Sequence, residues 1–410
     1  MKKILHLLTI IFTTVILSSL SFASQESSFL LTDKKAAAKL QDNQLLSALD
    51  GFEVVAVKNS KANKHKLSKI AHDAGKCGGF EYVDSSEFTI NNLTTESMAK
   101  TALKNLQNRN TQVQAQTQNT CVINTKSFKS LDLDKVDARN IEKFVRWFSS
   151  FHTRYHRAPN PDIPVDALKE KIELMLKDVK NVSIYKVSHN NTPQSSLAVT
   201  FAPANKNKNT ETVVLGGHLD SIISWGFGNP HAPGADDNAS GIGTLIEAMR
   251  IFALSPRPNH YVQFYFYAGE EAGLLGSREI AIDHKNKDSK IRGVLQLDMT
   301  MFPGSGPFTI ASMTDFTSPR LRQWLNSFNE NILGVTVLED QCGYGCSDHA
   351  SWHRQGFDTL MPFEAKMNDM NSDIHSKRDV VSADSNFEHA AVFAKIALAF
   401  ANTAPSLNCE

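Results

Sequence analysis

Seven residues between His218 and His375 have the types and spacing of a metal-dependent hydrolytic centre. His218 and Asp220 sit two apart in GGHLDS, Asp237 lies in PGADDNASG, and Glu270 and Glu271 lie in YFYAGEEAGLLGS. Asp298 follows in LQLDMT and His375 in NSDIH. Mixed imidazole and carboxylate ligation with an open water position suits catalytic zinc. An Asp in PGADDNASG could bridge two cations with its two oxygens, and a close pair of zinc ions needs such an anion to offset their repulsion. In AGEEAGLLGS, two adjacent carboxylates follow a very hydrophobic run. Like charges at a buried strand end are costly unless cations compensate. One Glu can bind metal while its neighbour serves the reacting water as general base. In H-x-D, the Asp can fix the tautomer of the imidazole. Each motif alone has a plainer reading. Ser240 or Asn238 could simply cap a helix, the Glu pair could sit at an exposed helix start, and His375 could be ordinary surface. Only the set argues for metal-assisted hydrolysis.

The elements that must carry these residues are legible as alternating runs. TVVLGG, YVQFYFYA, VLQLDM and TLMPFE read as strands. ASGIGTLIEAMRIFAL, LLGSREIAIDH, SPRLRQWLNSFNEN and NFEHAAVFAKIALAFAN read as helices. Upstream, Ile141, Phe144, Val145, Trp147 and Phe148 fall at helical spacing, with Asp134 or Asp137 as the start. Pro164 opens a second amphipathic helix. VSIYKV and SLAVTFA read as strands joined by a polar turn at Asn190 and Asn191. Strands alternating with helices imply an α/β fold: a mixed, mainly parallel twisted sheet with helices on both faces. The ligand candidates then stand at the ends of several strands, on one sheet edge.

At 410 residues and 41% hydrophobic, the chain can bury a large core. Lys+Arg and Asp+Glu balance at 43 each, so nothing points to nucleic acid or a charged membrane surface. Lys2 and Lys3, an apolar stretch from Ile4 to Leu20 and the small residues of Ser21-Phe22-Ala23 predict a signal peptide over 1–23. Residues 24–125 carry none of the metal-type constellation. They end in the Asn/Gln-rich segment 105–120, which reads as a solvated, cleavable connector. The expectation is a precursor with a small propeptide domain at 24–125 and a catalytic domain at 126–410; a maturation protease cuts near 105–120 and leaves a folded catalytic domain that starts close to Ser127–Asp134. Five cysteines fit an oxidising compartment. Cys342 and Cys346 could close a small loop, Cys77 and Cys121 could pair, and Cys409 is left over.

These motifs together resemble the secreted bacterial leucyl aminopeptidases of the co-catalytic di-zinc peptidase family. GGHLDS, PGADD-ASGI, EE-GL-GS, LQLDMT, CGY-CSDHASWH, MPFE and the late I-H stand in that family's order across roughly 130–410. The resemblance implies two Zn2+, with His218 and Asp298 on one, Glu271 and His375 on the other, and Asp237 as the bridge. Glu270 becomes the general base and acid, and Asp220 orients His218. The Asp237–Asn238 bond is expected to be cis; some relatives carry Asp where this chain has Asn238. Asp348, His349 and His353 fall in a segment the family uses as support and pocket wall, and Cys342–Cys346 matches its small disulfide. The comparison places Met299, Met313, Tyr344, Met361, Phe363, Met367, Met370 and Ile374 around an apolar specificity pocket; relatives often carry aromatics at Met367 and Met370. The implied function is a monomeric, exported aminopeptidase that leaves through the periplasm, free of the membrane once the signal is removed. Its substrates are peptides with a free N-terminus and a large hydrophobic first residue. The rival readings are a carboxypeptidase or glutaminyl cyclase on the same fold, and a non-catalytic receptor-like domain.

Overall fold

The computed structural model describes residues 131–403 apart from 208 and 224–228, with Phe128, Ala38 and the backbone of six further strands. Four of these form an antiparallel sheet of order β2-β3-β1-β4: β1 Ser27–Asp33, β2 Asn43–Leu49, β3 Phe52–Lys58 and β4 Phe80–Val83. The two-residue strands β5 Cys121–Val122 and β15 Asn408–Cys409 pair antiparallel, and their register sets Cys409 opposite Cys121. The segment 1–23 expected to be a signal peptide, the segment 105–120 expected to be a connector, and Cys77 lie outside the described residues. Among those residues, no helix is long and apolar enough to cross a membrane.

The six-stranded sheet that carries the candidate ligands uses β6 Val182–Val187, β7 Ser196–Phe201, β8 Thr212–His218, β9 Tyr261–Tyr267, β10 Ile291–Gln296 and β13 Thr359–Leu360. Its order is β13-β10-β8-β9-β7-β6. The pairs of β8 with β9, β8 with β10 and β10 with β13 are parallel. β7 runs antiparallel to β9, and β6 antiparallel to β7. The sheet is therefore mixed with a parallel centre, as its long apolar runs predict.

Side chains alternate across this sheet with period two. Val213, Leu215, Val262, Phe264 and Phe266 join the larger core. That core includes apolar residues of α1 Ala138–Phe148, α2 Ile163–Met175, α3 Gly241–Phe252 and the C-terminal α7 Phe387–Thr403. Val214, Tyr265, Tyr267 and Val294 enter the smaller cluster on the other face, with Ile280 of α4 Leu275–Asn286 and Trp352 of α6 His349–Arg354. Asp137 caps α1, accepting from Arg139 N–H at 2.9 Å.

TLMPFE departs from its reading as one strand. Leu360 pairs parallel with Leu295 of the main sheet. Phe363 pairs antiparallel with Ala311 in a second, three-stranded sheet built from β11 Thr309–Met313, β12 Thr336–Asp340 and β14 Pro362–Phe363. The chain changes sheets at Met361. α5 Pro319–Phe328 connects β11 to β12.

Gly216, in the strand that leads to His218, shows how tightly the sheet faces its cover. A Cβ there would lie 2.3 Å from the Tyr267 ring, whose hydroxyl accepts from Trp352 Nε1 at 2.9 Å. Gly216→Ala is expected to cost ~1–3 kcal/mol through overpacking. Urea denaturation reads this directly, and an unchanged midpoint would contradict the close packing.

Candidate metal centre

The C-terminal ends of the three central parallel strands meet here. His218 ends β8, Glu270 and Glu271 follow β9 after a two-residue turn, and Asp298 lies two residues beyond β10. Asp237 arrives just before α3, and the Asp237–Asn238 peptide is cis. Asn238 couples this loop to the Asp298 loop. Its amide donates to Leu297 O at 3.0 Å and accepts from Met299 N–H at 3.1 Å, on either side of Asp298.

The donors converge as two triads: His218, Asp237 and Asp298, and Asp237, Glu271 and His375. His218 Nε2 lies 2.9 Å from Asp237 Oδ1 and 3.3 Å from Asp298 Oδ1. His375 Nε2 lies 2.8 Å from Asp237 Oδ2 and 3.1 Å from Glu271 Oε2. Asp237 thus turns one oxygen to each triad, the arrangement a bridging carboxylate requires. All five side chains are buried.

Burial drives the electrostatics. It pushes Glu271 up to about 7, helped by the Asp237 charge. It also raises Glu270 well above the carboxylate range, with Asp298, Asp348 and Glu271 adding to the rise. Burial opposes protonation of His375, but Glu271 and Asp237 outweigh it and carry the ring to about 10. Burial likewise opposes protonation of His218, and Asp298 and Glu270 lift it. Carboxyl groups whose anionic forms are disfavoured by burial and by one another make a site that bound cations would relieve. Neither oxygen of Glu270 has a hydrogen-bond partner among the described residues. This orphaned carboxylate beside two N/O triads fits a metal-bound reaction centre, and the donor chemistry fits zinc.

Asp220 does more than face the ring. His218 Nδ1 lies 3.2 Å from the Asp220 backbone oxygen and 3.6 Å from its Oδ1. The carboxylate itself accepts the backbone N–H of Glu270 at 3.0 Å and of Glu271 at 3.3 Å. It therefore ties the β8 loop to the glutamate turn.

Several supports were not singled out from sequence. Asp379 accepts the N–H groups of Asp236 and Asp237 at 2.8 and 3.1 Å. Ser347 donates to Asp298 Oδ2 at 2.6 Å. Arg154 is fully buried beneath the β8 loop. Asp348, His349 and His353 are also buried. None of the three belongs to either triad. Gln296 donates to Asp348 Oδ2 at 3.0 Å, which gives Asp348 the supporting place expected of it.

The eight pocket candidates gather in one cluster. Met299, Met313, Tyr344, Met361 and Phe363 are buried together, with Met367, Met370 and Ile374 packed against them. Met299 and Ile374 adjoin the triad members Asp298 and His375 in sequence, so the cluster abuts the triads. Cys342 and Cys346 are disulfide-bonded, and Asp315 accepts the N–H groups of Cys342 and Gly343 at 3.2 and 2.7 Å, which anchors that loop. The nearby acids are already engaged. Glu364 is buried and accepts from Phe302 and Asn371 N–H. Asp369 accepts from Ser305 at 2.7 Å.

Comparison with known proteins gives the family of the chain. Residues 197–401 match peptidase family M28. The chain is 34% identical over 280 residues to leucine aminopeptidase 1 of Colletotrichum graminicola, covering 65% of this chain and 68% of that protein. It is 31% identical to the probable aminopeptidase YDR415C of Saccharomyces cerevisiae, over 67% of this chain and 75% of that one. Among solved structures, the LapA aminopeptidase of Legionella pneumophila superposes with a TM-score of 0.76 at 25% identity, covering 92% of this chain and 97% of that chain.

Proposed function

The chain belongs to peptidase family M28 and is a peptide hydrolase; on that premise we propose that it uses two zinc ions to release large hydrophobic residues from the N-termini of peptides. The observation that carries this reading is Asp237, shared by two triads, with Glu270 alongside, whose carboxylate has no hydrogen-bond partner among the described residues. His218 and Asp298 would hold one ion, Glu271 and His375 the other, and Asp237 both. Bound there, the metals supply Lewis acidity for the scissile carbonyl and a lowered pKa for the attacking water. Glu270 takes the proton of that water and returns it to the leaving amine. Asp220 holds the turn bearing Glu270 and Glu271 in place through their N–H groups.

Export as a precursor belongs to the same proposal. Its support is the leader-like start at Lys2 and Lys3, the connector composition at 105–120 and the disulfide at Cys342–Cys346.

The substrate preference follows from the pocket. Its lining is apolar, so a Lys or Arg side chain would lose solvation with no carboxylate to meet it. A Leu or Phe side chain gains ~1.5–3 kcal/mol on burial, and ~1.4 kcal/mol is tenfold in rate. Leu, Phe and Met p-nitroanilides are expected to exceed Ala by at least about tenfold in kcat/KM, with N-acetyl-Leu p-nitroanilide inert. Hydrolysis of the blocked substrate, or a preference for Lys and Arg, would overturn this reading.

A further inference from the structure

Arg154 is 1% exposed, and among the described residues its side-chain hydrogen bonds reach backbone oxygens only. Nε donates to Leu219 O at 2.9 Å, Nη1 to Pro233 O at 2.5 Å and to Phe148 O at 3.2 Å, and Nη2 to Gly234 O at 2.7 Å. The guanidinium also lies over the Phe148 ring, 4.7 Å from its centroid. Leu219 stands between His218 and Asp220, and Pro233 and Gly234 lead into the turn that delivers Asp237. One rigid fork therefore holds the carbonyls of both loops that carry His218 and Asp237. The second loop is shaped to fit it. Gly234 has φ +54, and a Cβ there would lie 2.7 Å from Arg154 Nη2 and 2.4 Å from Asp237 O. The Arg154 backbone continues the join: its N–H donates to Ser221 Oγ at 3.3 Å, and that hydroxyl donates to Ala232 O at 2.8 Å.

An arginine kept only to balance the site's carboxylates would be expected to pair with one of them. Arg154 lies near enough to Asp379, Asp237, Asp220 and Glu271 to feel their charge, yet directs its donors to carbonyls. We propose that Arg154 is a positioning residue that clamps the His218 and Asp237 loops in metal-binding geometry, so that the fork, and not the charge alone, sets how long metal is retained. This inference rests on the metal reading above.

The test is zinc release from loaded protein under chelator challenge, which needs no stable metal-free form. Arg154→Lys keeps the charge but cannot span the loops, and Arg154→Met removes both. Both variants are expected to release zinc ~10–100-fold faster than wild type, the usual scale for losing a residue that orients metal ligands. Release at the wild-type rate with only a lowered melting temperature would assign Arg154 a purely structural role and overturn the proposal. So would faster release from Arg154→Met but not Arg154→Lys, since charge alone would then suffice. Failure of both variants to fold in excess zinc would make Arg154 a folding residue and also overturn it. A wild-type chain that holds no zinc would instead defeat the metal reading itself.

Discussion

Glu270→Gln is expected to lose ~10²–10⁴ of kcat, the range for removal of a general base, while its metal content stays at the wild-type level. Glu270 is the one carboxylate at the centre that belongs to neither triad and has no partner for either oxygen among the described residues. Gln matches Glu in shape, so the turn and its two N–H bonds to Asp220 are preserved. What disappears is the capacity to accept a proton, because an amide does not become basic at neutral pH. Glu271→Ala should behave in the opposite way. Glu271 Oε2 lies 3.1 Å from His375 Nε2, inside the second triad. Its loss removes a ligand, and the metal should leave. Steady-state rates and elemental analysis of both variants check the division of labour. Equal loss of metal from the two would show that the adjacent glutamates do not have separate roles.

Most of the centre was legible because its chemistry restricts residue types. Buried strand ends do not carry His and paired acids without compensation, so His218, Glu270, Glu271 and Asp298 stand out from TVVLGG, YVQFYFYA and VLQL. The same buried runs predict the parallel centre of the sheet. What stayed hidden depends on pairing across the chain. TLMPFE is one apolar run in sequence, but hydrophobicity does not say that Leu360 joins one sheet and Phe363 another. β11 and β12 were not singled out, being short and either small-residue or polar in composition. The part Asp220 plays in holding the glutamate turn depends on β8 lying beside β9, with His218 opposite Tyr267. Arg154, Asp379 and Ser347 act on backbone groups or on ligands distant in sequence. Each reads locally as an ordinary polar residue.

The most direct test of the account is metal removal and return. Because Asp237 serves both triads, the ions should depend on each other and on that one side chain. Dialysis against a chelator is expected to take Leu p-nitroanilide hydrolysis to background while the fold persists, as read by circular dichroism. Elemental analysis of the untreated protein should find two zinc ions per chain, one for each triad. On titration, zinc should restore activity, reaching its maximum at the second equivalent. Full activity in demonstrably metal-free protein would contradict the account. A maximum reached and held at one zinc per chain would contradict the shared, two-ion centre at its heart.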